Sequence, residues 1–160
     1  MTLQTKRLSK ELKDLSTSPP GGLKLLKADD FNQWFIQLEG APDTLYKNQK
    51  FLLRFKFNSN YPLEAPEVVF VDRDWLGNQW QIPIHNHVYS NGHICMSLLY
   101  DSGSGGGYSP ALTVASLSLS LLSMLSSSTK LSKPPDNDMY IITAKPSPKQ
   151  TTWAFHDDTV

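Results

Sequence analysis

Sulfur, surplus charge and long apolar runs are all scarce in this chain. Its 160 residues hold one cysteine, Cys95, so no disulfide can close within it. Fifteen Lys and Arg residues balance fifteen Asp and Glu, for a formal net charge of zero. A dedicated nucleic-acid binder needs a cationic surplus to displace counterions from phosphates, so that class is disfavoured. Serines interrupt the longest apolar stretch, which falls short of the roughly 20 residues that cross a bilayer. No secretory signal pattern precedes the first helical segment. These absences fit a reducing compartment, cytoplasm and nucleus, with no membrane or nucleic-acid partner. The length suits one domain with a proper core.

What is present is largely periodic. TKRLSKELKDL, from Thr5, puts Leu8, Leu12 and Leu15 on one face at helical spacing and most of its charges elsewhere. Those charges form either a solvated face or a partner-binding one. Pro19, Pro20, Gly21 and Gly22 then end the helix. Three strands are predicted next, over Leu23 to Ala28, Asn32 to Leu38, and the alternating KFLLRFKF. In the last, Phe51, Leu53, Phe55 and Phe57 are expected on a buried face, with Leu52, Arg54, Lys56 and Asn58 on a largely wet one. A fourth strand is read at Glu67 to Val71. Four strands in succession between helices favour an α+β fold with an antiparallel meander.

Asp72 to Ile84, with Trp75 and Trp80, reads as a packed irregular loop. DSGSGGG at 101–107 is expected to be mobile, since it has little to bury and much backbone entropy to lose. TVASLSLSLLSMLSS alternates like a strand. Its length, the Ser109-Pro110 pair and the spacing of Val114, Leu117, Leu121 and Leu125 favour a buried helix. A shorter helix is expected after Pro134. The aromatic and polar tail, 146–160, has no convincing period, although Trp153 and Phe155 suit packing against the core.

The chemistry is concentrated in HNHVYSNGHICMSLL. His85, His87, His93 and Cys95 are ligand types that zinc accepts. Two i,i+2 pairs separated by five residues are not a common zinc spacing, however, and no second cysteine supplements them. A cysteine protease would need a histidine to take the thiol proton, but the order of elements is unlike a papain arrangement. A free cysteine is also often a small buried residue. The Ser90-Asn91-Gly92 turn beside it, and histidines that are costly to bury without partners, argue for more than packing.

The order of elements resembles that of the ubiquitin-conjugating enzymes, from about Thr5 to Ile142. YPLEAPEVVF is similar to a proline-bearing segment of that family. HNHVYSNGHICMSLL is similar to its H-P-N…NG-x-I-C-L motif, and YSPALTV to its W-S-P-A-L-T. Within the family, His-x-His in place of His-Pro-Asn, the PPDN segment and a tail ending in HDD resemble the W type, which acts on amino termini.

The resemblance implies a core at 5–145, followed by the tail. It implies that Cys95 receives ubiquitin as a thioester from an activating enzyme and passes it to an amine on a substrate held by a RING-type or U-box ligase. No bound cofactor is implied; the activating enzyme consumes the ATP. His85 would hold the loop, His87 stands where the family has a supporting asparagine, and Asn86 replaces the proline. His87 would serve the thioester oxyanion only with a ring N–H aimed at it. His93 would be a satisfied surface histidine or would modulate the thiol. Arg7, Lys10, Leu63, Pro110 and Ala111 would form the surface for ligase and activating enzyme, and Asp136 and Asp138 would serve the acceptor side. The 101–107 run would be an insertion near the site.

An α-amino group has a pKa about 2.5 units below that of lysine, so at pH 7.4 roughly a quarter is the free nucleophile, against about 0.1% for lysine. Weak deprotonation machinery therefore suits flexible substrate amino termini as acceptors. A carrier of another ubiquitin-like modifier, a noncatalytic binding protein and weak self-association are the remaining readings.

Overall fold

The computed structural model describes residues 1–156. Asp157 and Asp158 of the HDD motif, with the end of the tail, lie outside the described residues. The expected α+β architecture is present. Helix α1 (Leu3–Thr17) precedes a sheet of β1 (Leu23–Lys27), β2 (Gln33–Glu39), β3 (Lys50–Lys56) and β4 (Glu67–Val71), and α2 (Val114–Ser126) and α3 (Asn137–Thr143) follow. The strands lie in sequence order and every neighbouring pair is antiparallel.

One sheet face carries Trp34, Ile36, Leu38, Phe51, Leu53, Phe55 and Phe70, all buried in the core with Leu8, Leu15, Leu117, Leu121 and Leu125 of α1 and α2. Period two on the sheet thus meets period 3.6 on the helices, as the sequence indicates. The opposite face is drier than expected. Leu52 is fully buried, and Phe35 and Val69 on that face are buried too. The chain after β4 doubles back over them: Trp75 lies 5.1 Å from the Phe35 ring, and Ile82 lines one shallow cavity with Arg54, Val69 and Val71.

That returning segment is packed in part: Trp75 and Ile82 rest on the fold and Pro83 is buried. Asp72 to Gln79 is mostly exposed, Trp75 included. It is ordered by one carboxylate: Asp74 accepts from the backbone N–H groups of Leu76 and Asn78 and from the Trp80 indole N–H. The glycine run at 101–107 also has a definite course. Asp101 accepts from the Ala65 backbone N–H at 2.8 Å, and the Gly107 N–H donates to the Ser97 carbonyl at 2.8 Å. Ser102–Ser104 forms one 3-10 turn closed by Gly105 at φ +80°. Backbone hydrogen bonds at both ends replace the apolar burial the run lacks.

The start of α2 differs from the Ser109-Pro110 expectation. Thr113 is the cap, in a reciprocal pair of hydrogen bonds with Ser116, and Pro110 stays in the preceding loop. Arg7 holds that loop, its guanidinium donating to the Pro110 carbonyl at 2.7 Å and the Leu112 carbonyl at 2.8 Å. Beside it Glu11 is buried in α1, accepting from Arg7 Nε, the Tyr61 hydroxyl and the Val114 N–H that opens α2. One carboxylate thus satisfies donors from both helices and from the loop after β3.

Removing it strands those donors in the interior. Glu11→Ala is expected to cost about 2–4 kcal/mol in urea unfolding, with Glu11→Gln costing less because it retains an acceptor.

Candidate active site

The segment between β4 and the 101–107 run is a chain of short turns with little regular structure, so each of its turns needs a specific anchor. Gly92 supplies one. Its φ is +90°, and a Cβ there would fall 1.9 Å from the Phe70 carbonyl oxygen of β4. Only glycine lets the turn lie against the strand, where Phe70 N–H donates to the Gly92 carbonyl at 3.0 Å. Tyr100 adds a second anchor, its hydroxyl donating to the Ile94 carbonyl at 2.6 Å.

Cys95 follows this turn and is 4% exposed. It is clamped to His87 twice: the Cys95 N–H donates to the His87 carbonyl at 2.9 Å, and His87 Nδ1 lies 2.9 Å from the Cys95 carbonyl oxygen. A carbonyl only accepts, so Nδ1 carries a proton. His85 reads the other way. Its Nδ1 accepts the His87 backbone N–H at 2.9 Å, which places the proton on Nε2. That Nε2 faces the Met124 backbone of α2 outside ideal hydrogen-bond geometry. Burial, then the neighbouring His87, pushes the His85 pKa from 6.5 down to about 4.

Successive residues of this loop line different hollows. His87 faces a groove of about 270 Å³ against α2, lined by Met96, Leu98, Ser120 and Met124. Asn86 instead lines the cleft of about 330 Å³ that holds Cys95, Tyr89, Asp136 and Tyr140. The Nδ1 donor of His87 is thus committed to the backbone of Cys95, and Asn86 is among the polar side chains that line the sulfur's cleft.

Asp136 lies in the cleft, accepting from the Tyr89 hydroxyl at 2.9 Å. Burial, then this carboxylate, holds the Tyr89 phenol well above its usual pKa. Asp138, in the first turn of α3, is exposed and does not line the cleft. His93 is not the surface histidine expected. It is 5% exposed, with Nδ1 2.7 Å from the Tyr140 hydroxyl and a hydrogen bond to the Pro146 backbone. It ties α3 to the loop.

The tail beyond α3 returns over this cleft. Trp153 stands against Tyr89, Tyr100 and Tyr140, Phe155 against Tyr100, and His156 against His87 at 4.5 Å between ring centres. Sequence reading missed Tyr140 and His156 as parts of the site, since only the fold brings residues so far apart together, and it passed over Tyr89 within the motif. Among the described residues, no three His, Cys, Asp or Glu side chains are grouped to hold a metal ion. No described helix is long and apolar enough to cross a membrane.

Of the proposed partner surface, Lys10, Leu63, Pro110 and Ala111 are exposed. Arg7 is not a free charge there, because its guanidinium holds the loop that Pro110 occupies.

Residues 7–155 match the family model described as "Ubiquitin-conjugating enzyme". The chain is similar to the probable ubiquitin-conjugating enzyme E2 W of Dictyostelium discoideum, at 46% identity over 97% of this chain and 96% of that one. It is similar to the probable E2 W-A of Danio rerio, at 46% identity over 99% of each chain. The crystal structure of the ubiquitin-conjugating enzyme E2 UbcA1 from Agrocybe aegerita superposes with a TM-score of 0.83 at 39% identity, covering 93% of this chain and all of that one.

His85 generates a pH dependence. The unfolded chain binds a proton near pH 6.5 that the folded chain refuses until about pH 4. Its contribution is complete above about pH 6.5 and is lost as pH falls toward about 4, a change of about 3 kcal/mol. Urea midpoints over that window are expected to fall more steeply for wild type than for His85→Gln.

Proposed function

The chain belongs to the ubiquitin-conjugating enzyme family, and from that membership we propose how its site selects an acceptor. As an enzyme of this family it accepts ubiquitin from an activating enzyme, carries it as a thioester on its one cysteine, and works with ubiquitin ligases. Loading joins the ubiquitin carboxyl carbon to the Cys95 sulfur and releases the activating enzyme's thiol. In discharge a neutral amine adds to that carbon, the carbon–sulfur bond breaks with Cys95 leaving as the thiolate, and the amine's surplus proton passes to the thiolate or solvent, so that an amide remains.

The acceptor is the α-amino group of a substrate with a flexible amino terminus. The observation that carries this reading is Asp136. It is the one carboxylate among the described residues lining the thiol's cleft, and its Oδ1 already accepts from Tyr89. A carboxylate so engaged orients an ammonium group but is a poor base for lysine. An α-amine, roughly a quarter deprotonated at pH 7.4, needs little help. The likeness to relatives named E2 W supports the same reading.

The loop geometry supports a division of roles within this proposal. His85 and His87 position the Cys95 backbone, and Asn86 stands on the side from which the amine arrives, where its amide can donate to the developing oxyanion. The exposed Lys10, Leu63, Pro110 and Ala111 form the ligase surface for a RING-type or U-box partner, overlapping that of the activating enzyme, with Arg7 holding the loop in place. The cytoplasm and nucleus are the compartments that suit a single reduced thiol. Weak self-association is part of the same proposal.

Mixed with ubiquitin, an activating enzyme and ATP, the wild type is expected to give a one-ubiquitin adduct that thiol reductant removes and Cys95→Ala lacks. In single-turnover discharge at pH 7.4, a peptide with a free amino terminus and no lysine is expected to react at least about tenfold faster than an acetylated lysine peptide. Equal rates would overturn the amino-terminal preference and leave the thioester intact.

A further inference from the structure

Formation of a thioester requires room at the sulfur, yet Cys95 is 4% exposed. What covers it belongs to the chain itself. The Ala154 carbonyl oxygen lies 4.0 Å from Cys95 Sγ, and Thr151, Thr152, Trp153, Ala154 and His156 line the cleft. From Thr152 to His156 the backbone has neither helical nor sheet pairing.

The way this strap is held suits release. Trp153 and Phe155 are half-buried, while the small residues Thr152 and Ala154 that alternate with them are exposed. Trp153 lies with ring centres 5.5 Å from both Tyr100 and Tyr140, and Phe155 5.5 Å from Tyr100. The Thr151 and Tyr140 hydroxyls share a hydrogen bond at 2.8 Å, and the Trp153 indole N–H donates to the Pro148 carbonyl at 3.0 Å. Two alternate aromatic anchors on an extended backbone resemble a peptide docked by every second side chain.

We propose that the cleft beside Cys95 is a binding track for an extended acceptor polypeptide, and that Thr151–His156 occupies it in the unloaded enzyme as an intramolecular competitor. The choice of an amino-terminal acceptor segment rests on the function proposed above; the covering of Cys95 does not. Loading lifts the strap from the sulfur while the strap goes on competing for the rest of the track. A flexible amino terminus displaces it there more readily than a lysine on a folded surface, because it can lie extended along the track.

Phe155 anchors the strap without lining the cleft, so Phe155→Ser tests the competition. Cys95 is the only thiol, and alkylation by iodoacetamide therefore reports on it alone. The variant is expected to alkylate roughly tenfold faster, by the same ratio at each pH from about 7 to 9, as a shift toward an open state requires. A ratio that changes with pH, showing altered thiol ionisation in place of uncovering, would overturn the proposal. In discharge to a peptide with a free amino terminus, the half-saturating peptide concentration is expected to fall by a similar factor.

Alkylation at the wild-type rate, or a rise in the half-saturating concentration, would also overturn it. A measurement on wild type avoids any folding defect of the variant. Ubiquitin loading is expected to speed chymotrypsin cleavage after Trp153 and Phe155, and unchanged cleavage would count against the strap. Should blocked peptides discharge as well as free ones, the amino-terminal preference fails while the alkylation and cleavage results still decide whether Cys95 is covered.

Discussion

The site depends on a clamp between two residues. Cys95 and His87 exchange hydrogen bonds, one from backbone to backbone and one from imidazole to backbone. An irregular loop has no ladder to hold it, so its conformation lasts only while each polar group has a partner. His87 closes one side, His85 ties the same stretch toward α2, and Gly92 lays the turn on β4. These contacts fix the sulfur relative to the sheet and α2. The His85 ring does this without bringing a charge into the core, since burial holds its pKa down.

The second constraint lies at the other end of α2. Glu11 and Arg7 bind the helix start and the loop before it to α1. The surface assigned to protein partners is therefore built on a satisfied buried carboxylate, with the exposed Pro110 and Ala111 held from beneath. An arginine in such a place contributes shape more than charge, since its donors are already taken.

Much of this was legible in the sequence, for physical reasons. The alternation from Phe51 to Phe57 and the spacing from Val114 to Leu125 each state a buried face, and the strand at Glu67–Val71 is found as read. The Cys95 motif was legible because its residues are contiguous. The errors share another cause: periodicity reports on one face and is silent about what returns to cover the other. Phe35, on the face that looked wet, is covered by Trp75 from a loop some forty residues later. The burial of Glu11 was not legible because its donors arrive from Tyr61 and Val114. His93 is buried by α3, and the glycine run is fixed by Asp101, neither of which local composition announces.

The solitary sulfur has one more consequence, for redox chemistry. A thiolate oxidised to sulfenic acid is commonly rescued when a neighbouring thiol condenses with it, and this chain contains no second thiol. Any such repair at Cys95 must come from a small thiol or another protein entering the same narrow cleft. Until that happens the damaged enzyme cannot receive its cargo, and further oxidation to the sulfinic or sulfonic state would retire the molecule.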